Sequence, residues 1–213
     1  GTDMPNLDSI LENYGVKRSS GIVVETDSQH YYPQMPYYLL PNIGSDDITT
    51  EVKSNYILMP VAQAIQQLDS YRDTITIKSL LTTTEDAYIE NDPENSTWSK
   101  SADSETGAFD LGVSITETVD DKETQIIYFS SASMLSSQID QAISGANSKL
   151  AATALTSMCD VEQTVVIPSK STSYTNLVFT QGAVNTWSII TIAGIPLVLV
   201  IVGMAIWMKR RKQ

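Results

Sequence analysis

Trp187-Ser188-Ile189-Ile190-Thr191-Ile192-Ala193-Gly194-Ile195-Pro196-Leu197-Val198-Leu199-Val200-Ile201-Val202-Gly203-Met204-Ala205-Ile206-Trp207-Met208 runs straight into Lys209-Arg210-Arg211-Lys212. No charged side chain falls inside it. As a helix of about 22 residues rising ~1.5 Å each it is ~33 Å long, enough to cross a hydrocarbon core of ~30 Å. Trp187 and Trp207 stand near its ends, where indole rings favour the water–lipid interface. A buried core helix is the other reading, but such helices seldom run this far without a charge. The stretch predicts one transmembrane helix over residues 187–208, and the rest of the chain is organised around it.

The flanks supply a direction. Four cations follow the span, and the last acid before it is Glu162. By the positive-inside rule the basic tail, residues 209–213, lies in the cytoplasm, and residues 1–180 form an extracytoplasmic body on the cell membrane. Residues 181–186 are then a short juxtamembrane connection, too short for a flexible stalk, so the body sits close to the bilayer. Pro196 is tolerated in a lipid-embedded helix. Gly194 and Gly203 are not spaced as GxxxG, so no packing motif is read there.

The chain has 25 acidic and 13 basic residues, a net charge of −12. With the four tail cations set aside, the part before the span carries −16. Such a surface disfavours nucleic acid and close contact with anionic lipid. About 180 residues suffice for one domain with a real core. The single cysteine, Cys159, excludes an intrachain disulfide and a multi-cysteine metal site, and is expected to pack as a small apolar group. No basic n-region followed by an apolar stretch occurs in residues 1–20. An exported body with this beginning is expected to have lost an upstream signal or a first membrane span.

The body reads as α/β. Residues 6–15 form a short helix that Asn6 or Asp8 can cap and Gly15 ends. Residues 21–25 are a continuous apolar strand of the kind buried in parallel sheets. Residues 55–60 and 74–84 read as strands. Residues 61–68 read as a helix with Val61, Ala64, Ile65 and Leu68 on one face. Phe109, Leu111, Val113 and Ile115 alternate along one side of a half-buried strand, a polar turn follows at residues 119–123, and residues 124–131 return as the next strand. Leu150, Ala151, Ala154, Leu155 and Met158 make the inward face of a helix. Residues 164–168 and 176–180 are candidate strands, separated by a Ser/Thr-rich run.

Three stretches could carry chemistry. Residues 30–38 hold Tyr31, Tyr32, Tyr37 and Tyr38 beside two prolines, which predicts an irregular loop. Its rings are either a stacking surface for a sugar, solute or peptide or, more commonly for such loops, packing over a sheet edge. His30 is the only histidine, which leaves a catalytic triad or a histidine-based metal site without members. Residues 85–110 are rich in acids, but they lack the spacing of a calcium loop and read as a solvated connection. Asn95-Ser96-Thr97 fits a glycosylation sequon. Residues 130–137 contain serines at a strand end without a nucleophile elbow or a phosphate loop, so they read as caps and turn formers. No cofactor, metal ligand set or catalytic residue is read.

The order of several segments is familiar. Residues 6–15 followed by Gly21-Ile22-Val23-Val24 come first, then Tyr37-Tyr38-Leu39-Leu40-Pro41, Ile48-Thr49 and Leu80-Leu81-Thr82-Thr83-Thr84. Gly107-Ala108-Phe109-Asp110-Leu111, the strand from Ile126 to Phe129 leading to Ser133, and Ile195-Pro196-Leu197 with Gly203, Trp207 and Lys209-Arg210-Arg211 complete the set. In this order the chain resembles the C-terminal part of the GldG-like auxiliary component of gliding-motility-type ABC transporters, over nearly its whole length. The resemblance implies a bacterial protein with a Rossmann-like or flavodoxin-like sheet and flanking helices, its N-terminal part absent, followed by one transmembrane helix. It also implies a permease and an ATPase as partners. A histidine often precedes the Ile-Thr pair in that family; Asp47 stands there in this chain, so no ligand role carries over to the position.

The expected function is therefore that of a non-enzymatic, membrane-anchored auxiliary subunit of an ABC transport system. It would dock outside the membrane on the permease or its substrate. A cell-surface glycan- or solute-binding receptor using the four tyrosines is the alternative, and a surface hydrolase ranks behind it.

Overall fold

The computed structural model describes residues 4–92, 97–159 and 177–211. The expected strand at 164–168, the Ser/Thr-rich run at 169–175, most of the sequon, and Lys212 lie outside them. The chain folds as a mixed α/β body with several sheets, followed by one long apolar helix.

Helix α1 (Pro5–Asn13) starts with proline in its first turn and stops at Gly15, whose φ of +83° suits a residue without a Cβ. Neither Asn6 nor Asp8 caps it; the N-cap is Met4, with no side-chain bond. Asp8 instead takes a two-pronged contact from Arg18, Nε to Oδ1 at 2.6 Å and Nη2 to Oδ2 at 3.1 Å. That hydrogen bond holds the Asp8 carboxyl below the ordinary carboxylate range. It also ties the helix to the strand that follows.

The main sheet is built from β1 (Val16–Arg18), β5 (Asn42–Ile43), β7 (Ile65–Gln67), β8 (Ile75–Thr82), β10 (Asp110–Val119) and β11 (Lys122–Phe129). Its order is β1-β7-β10-β8-β5, with β11 beside β10. Strand β2 (Ile22–Val24) pairs with β9 (Tyr88–Glu90), and β3 (Tyr31–Tyr32), β4 (Met35–Leu39) and β6 (Met59–Pro60) make a third, small sheet. Among the described residues every strand pair is antiparallel. This corrects the expected parallel pairing around residues 21–25 and gives no support to a Rossmann-like or flavodoxin-like winding. A continuous apolar run reports burial on both faces, and an antiparallel pair enclosed in the body satisfies that as well as a parallel one.

Strand β10 is the centre of the body. Its register against β8 slips twice, around Leu111 on β10 and around Leu80 on β8. Both extra residues are fully buried in the larger core, with Leu40, Ile57, Leu58 and Leu150. Past the bulge, Val113 and Ile115 join Leu11, Val16, Ile65 and Ile75 in a second core under α1. The strict alternation of Phe109, Leu111, Val113 and Ile115 thus does not stay on one side. The bulge hands the apolar set from one core to the other. Gly112 sits at the crossing, where a Cβ would lie 2.7 Å from the Phe129 ring.

The turn between β10 and β11 is the expected polar one. Val119 pairs with Lys122, and Asp120 (φ +49°) and Asp121 (φ +60°) form a two-residue loop with the left-handed conformations of a type I′ turn. Residues 61–68 do not form the expected helix. Val61 has φ +51°, and the chain then runs extended beside β1, where Ser19 N–H donates to Ala64 O. Ala62 and Ala64 bury in the larger core with Gln63 between them, and Ile65, next in line, buries in the second core under α1.

Helices α2 (Asp47–Thr50), α3 (Ser137–Ala142) and α4 (Ala146–Met158) cover the larger core. Asp47 opens α2 behind Asp46, which caps the helix in a reciprocal capping box with Thr49. Along α4, Leu150 and Ala154 face inward as expected, but Leu155 is 67% and Met158 46% exposed, and Cys159 is exposed rather than packed. The buried stripe of α4 is Ala146, Asn147, Leu150 and Ala154, and it ends before the helix's last turn.

Candidate functional site: the anchor helix and its collar

The long helix begins earlier than the sequence suggests. Helix α5 (Gln181–Ile189), a π-helical turn (Ile190–Gly194) and α6 (Ile195–Arg211) form one continuous rod, Gln181–Arg211, of 31 residues. At ~1.5 Å per residue it is ~46 Å long, longer than a hydrocarbon core by about three turns. Residues 181–186 are therefore not a connecting loop but its first turns. Residues 177–180 carry no strand. Beyond residue 183 the rod leaves the body, and Trp187, Leu197, Val200 and Trp207 are all exposed. It is long and apolar enough to cross a membrane. Its last turn carries Lys209, Arg210 and Arg211, cations that suit a helix C-terminus. The Arg211 guanidinium lies over the Trp207 ring, 5.4 Å from its centroid.

Pro196 explains the π turn. Its ring has no N–H and would strike the carbonyl four residues back. The extra residue in the turn just before it absorbs the misfit, and Ile195 N–H donates to Ile190 O, five residues back.

The rod is gripped where it meets the body. Thr180, buried, accepts from Ala183 N–H through Oγ1, an N-cap, and donates from the same hydroxyl to Gln29 Oε1 at 3.2 Å. Gly182 N–H donates to Ser28 O at 2.6 Å, and Gln34 N–H donates to Gln181 Oε1 at 2.8 Å. A Cβ on Gly182 would sit 1.8 Å from Gln29 Nε2, so glycine permits the close approach. The loop that makes this collar is stiffened from beneath. Glu25, 2% exposed, accepts from Thr26 N–H, Asp27 N–H and the Thr84 hydroxyl at Oε1 and from Thr84 N–H at Oε2. Asp27 Oδ1 in turn accepts from Gln29 N–H. Sequence reading missed Glu25, Gln29, Thr180 and Gly182; a threonine ahead of an apolar helix is a cap signal that points to Thr180.

The four tyrosines do not form an irregular loop. Tyr31 and Tyr32 lie on β3, Tyr37 and Tyr38 on β4, joined by a turn with Pro33 at its second position and Gln34 at φ +64°. Proline followed by a positive φ is the pattern of a type II turn, so the prolines shape the hairpin instead of preventing it. Tyr32 and Tyr38 pack against the larger core. Tyr37 meets Trp98 at 4.4 Å between centroids and Tyr38 edge-on at 5.2 Å. Burial raises the Tyr31 hydroxyl above the ordinary tyrosine value, with Asp27 and Glu25 adding to it. The rings thus spend most of their area on the body, and the tip of their hairpin holds the anchor.

His30 Nδ1 lies 3.2 Å from Leu40 O, and its Nε2 is 3.9 Å from Asp27. The acid-rich stretch frames a shallow cleft of about 450 Å³ between residues 89–92 and Ser101, Asp103 and Ser104. Within it Glu90 Oε1 accepts from Asp92 N–H. Among the described residues no three His, Cys, Asp or Glu side chains converge as a metal would require. Ser131 Oγ donates to Pro60 O, a fastening between strand and crossover. No family model matches the chain, and no curated protein or solved structure matches it.

Proposed function

We propose that this protein is a membrane-anchored auxiliary subunit of an ABC transport system, acting by docking rather than catalysis. The rod would span the cell membrane with its basic end in the cytoplasm and the acidic body outside. The single observation that supports this most is the collar. Thr180, Gly182 and Gln181 bond directly to Ser28, Gln29 and Gln34, so the body and the rod are coupled without a flexible stalk. A receptor that only samples solutes gains little from such coupling. A subunit that reports between an extracellular surface and a neighbouring membrane domain depends on it. The acidic exterior would hold the body off anionic headgroups and favour a basic surface on the permease or its cargo.

The test is co-purification of the full chain from its native membranes with a multi-span permease and its ATPase, in mild detergent. Stable association is expected, and its loss on Gly182→Leu, which forces Gln29 out of the collar, would tie it to the coupling. A chain extracted from membranes as a lone species, or one removed by carbonate without detergent, would overturn the proposal.

A further inference from the structure

Pro196 and the π turn before it leave two carbonyls without their ordinary donors, Ile192 O because residue 196 has no N–H and Thr191 O because of the turn. Ile195 N–H serves Ile190 O, so it does not serve Thr191 O, its ordinary acceptor. The next amide able to reach Thr191 O, five residues on, would belong to Pro196, which has none. Residues 194, 195 and 196 are Gly, Ile and Pro and bear no hydroxyl to donate back. Thr191 O therefore has no intrahelical donor among the described residues. It sits four residues below Trp187, ~6 Å inside the apolar stretch, where water is scarce and an unmet carbonyl is costly. Beside it the rod is slim and polar. Ser188 and Thr191 are exposed, and Gly194 lets another backbone come close.

We infer that this face of the rod, Ser188–Thr191–Gly194, is a helix-docking site whose occupant is a membrane helix of another protein bringing a hydrogen-bond donor side chain to Thr191 O. A second copy of this chain is a poor occupant. Helical side chains lean toward the N-terminus, so its Ser188 would reach above the level of Thr191 O in a parallel pair. Its Thr191 hydroxyl is already given to Trp187 O at 2.9 Å and Ser188 O at 3.2 Å. No other donor side chain follows before Trp207. The inference rests on the proposed span and names the chemistry of its partner.

The experiment uses the full chain, labelled at its sole cysteine, Cys159, and reconstituted in phosphatidylcholine vesicles. The probes are a leucine-based transmembrane helix with one asparagine ~6 Å below its outer interface and the same helix with leucine there. Energy transfer should show the asparagine helix binding about three- to fifteenfold tighter. Pro196→Ala should erase that preference. If the π turn persists residue 196 donates to Thr191 O, and if it relaxes Ile195 does. The carbon-13 carbonyl band of Thr191 should move from a free to a bonded frequency when the asparagine helix is added. Equal binding of both probes, a preference that survives Pro196→Ala, a carbonyl already bonded in the chain alone, or self-association that responds to Pro196→Ala would each overturn the inference. Failure of the chain to insert at all would instead sink the proposed span, and insertion is read separately by resistance to carbonate extraction.

Discussion

Asn147 is the buried polar side chain whose removal should tell most. It is fully buried at the start of α4. Its Nδ2 donates to Leu58 O at 2.7 Å and to Met134 O at 2.8 Å, and its Oδ1 accepts from Leu58 N–H at 3.2 Å. One amide therefore joins a helix, the chain leading into β6 and the 3-10 turn Ala132–Leu135. Asn147→Leu keeps the volume and strands all three backbone groups. At about 1 kcal/mol for each lost bond the cost is about 3 kcal/mol, a large part of the 5–15 kcal/mol that holds a domain together. For a body of this size that lowers Tm by roughly 6–12 °C. Asn147→Asp should be worse, because it turns the donor toward Leu58 O and Met134 O into an acceptor. Thermal unfolding of the full chain in mild detergent, followed by near-ultraviolet circular dichroism, reads both. If Asn147→Leu costs less than about 1 kcal/mol, the three bonds do not fasten α4 and the account of this core is wrong.

Further outcomes follow from the same reasoning. Tyr88 is fully buried and its hydroxyl has no hydrogen-bond partner among the described residues, so Tyr88→Phe should be neutral or stabilising, a Tm change opposite in sense to that of Asn147→Leu. Asp121→Gly should raise stability by about 0.5–1 kcal/mol in urea titrations, since glycine meets a φ of +60° without strain. Asp8 and Glu117 both have lowered carboxyl pKa values, set first by the hydrogen bonds from Arg18 and Arg72. A carboxyl depressed in the folded state stabilises above its unfolded value, and that contribution is lost as pH falls through the folded one. Tm should thus decline from about pH 4.5 downward, and Asp8→Asn with Glu117→Gln should flatten that decline; an unchanged acid limb would show that these pairs do not contribute. Burial raises the Tyr88 and Tyr128 hydroxyls, so the body should also lose stability as pH rises beyond ~10, seen as a falling Tm with tyrosinate absorbance.

Much of the local structure was legible because it depends on near neighbours. The end of α1 at Gly15, the turn at Asp120 and Asp121 and the long strand from Ile75 are each written in a few adjacent residues. Two misreadings share a cause. Residues 61–68 fit a helical period and residues 33–36 hold two prolines, yet both segments lie beside a strand that offers its backbone, and pairing prevailed over local preference. On α4 the buried positions end at Ala154, so Leu155 and Met158 share the apolar period yet face out; how far a core reaches along a helix is not written in that period.

The apolar stretch, its tryptophan ends and its basic tail needed no neighbours to be read, because length and the absence of charge are properties of the chain itself. Proline at 196 likewise fixed that some amide would be missing. Which further carbonyl lost its donor, where the rod begins and what grips it were decided only by the folded body. Those depend on an added residue in one turn and on Ser28, Gln29 and Gln34, about 150 residues away, meeting Thr180, Gln181 and Gly182. Contacts of that span leave no periodic trace in a sequence.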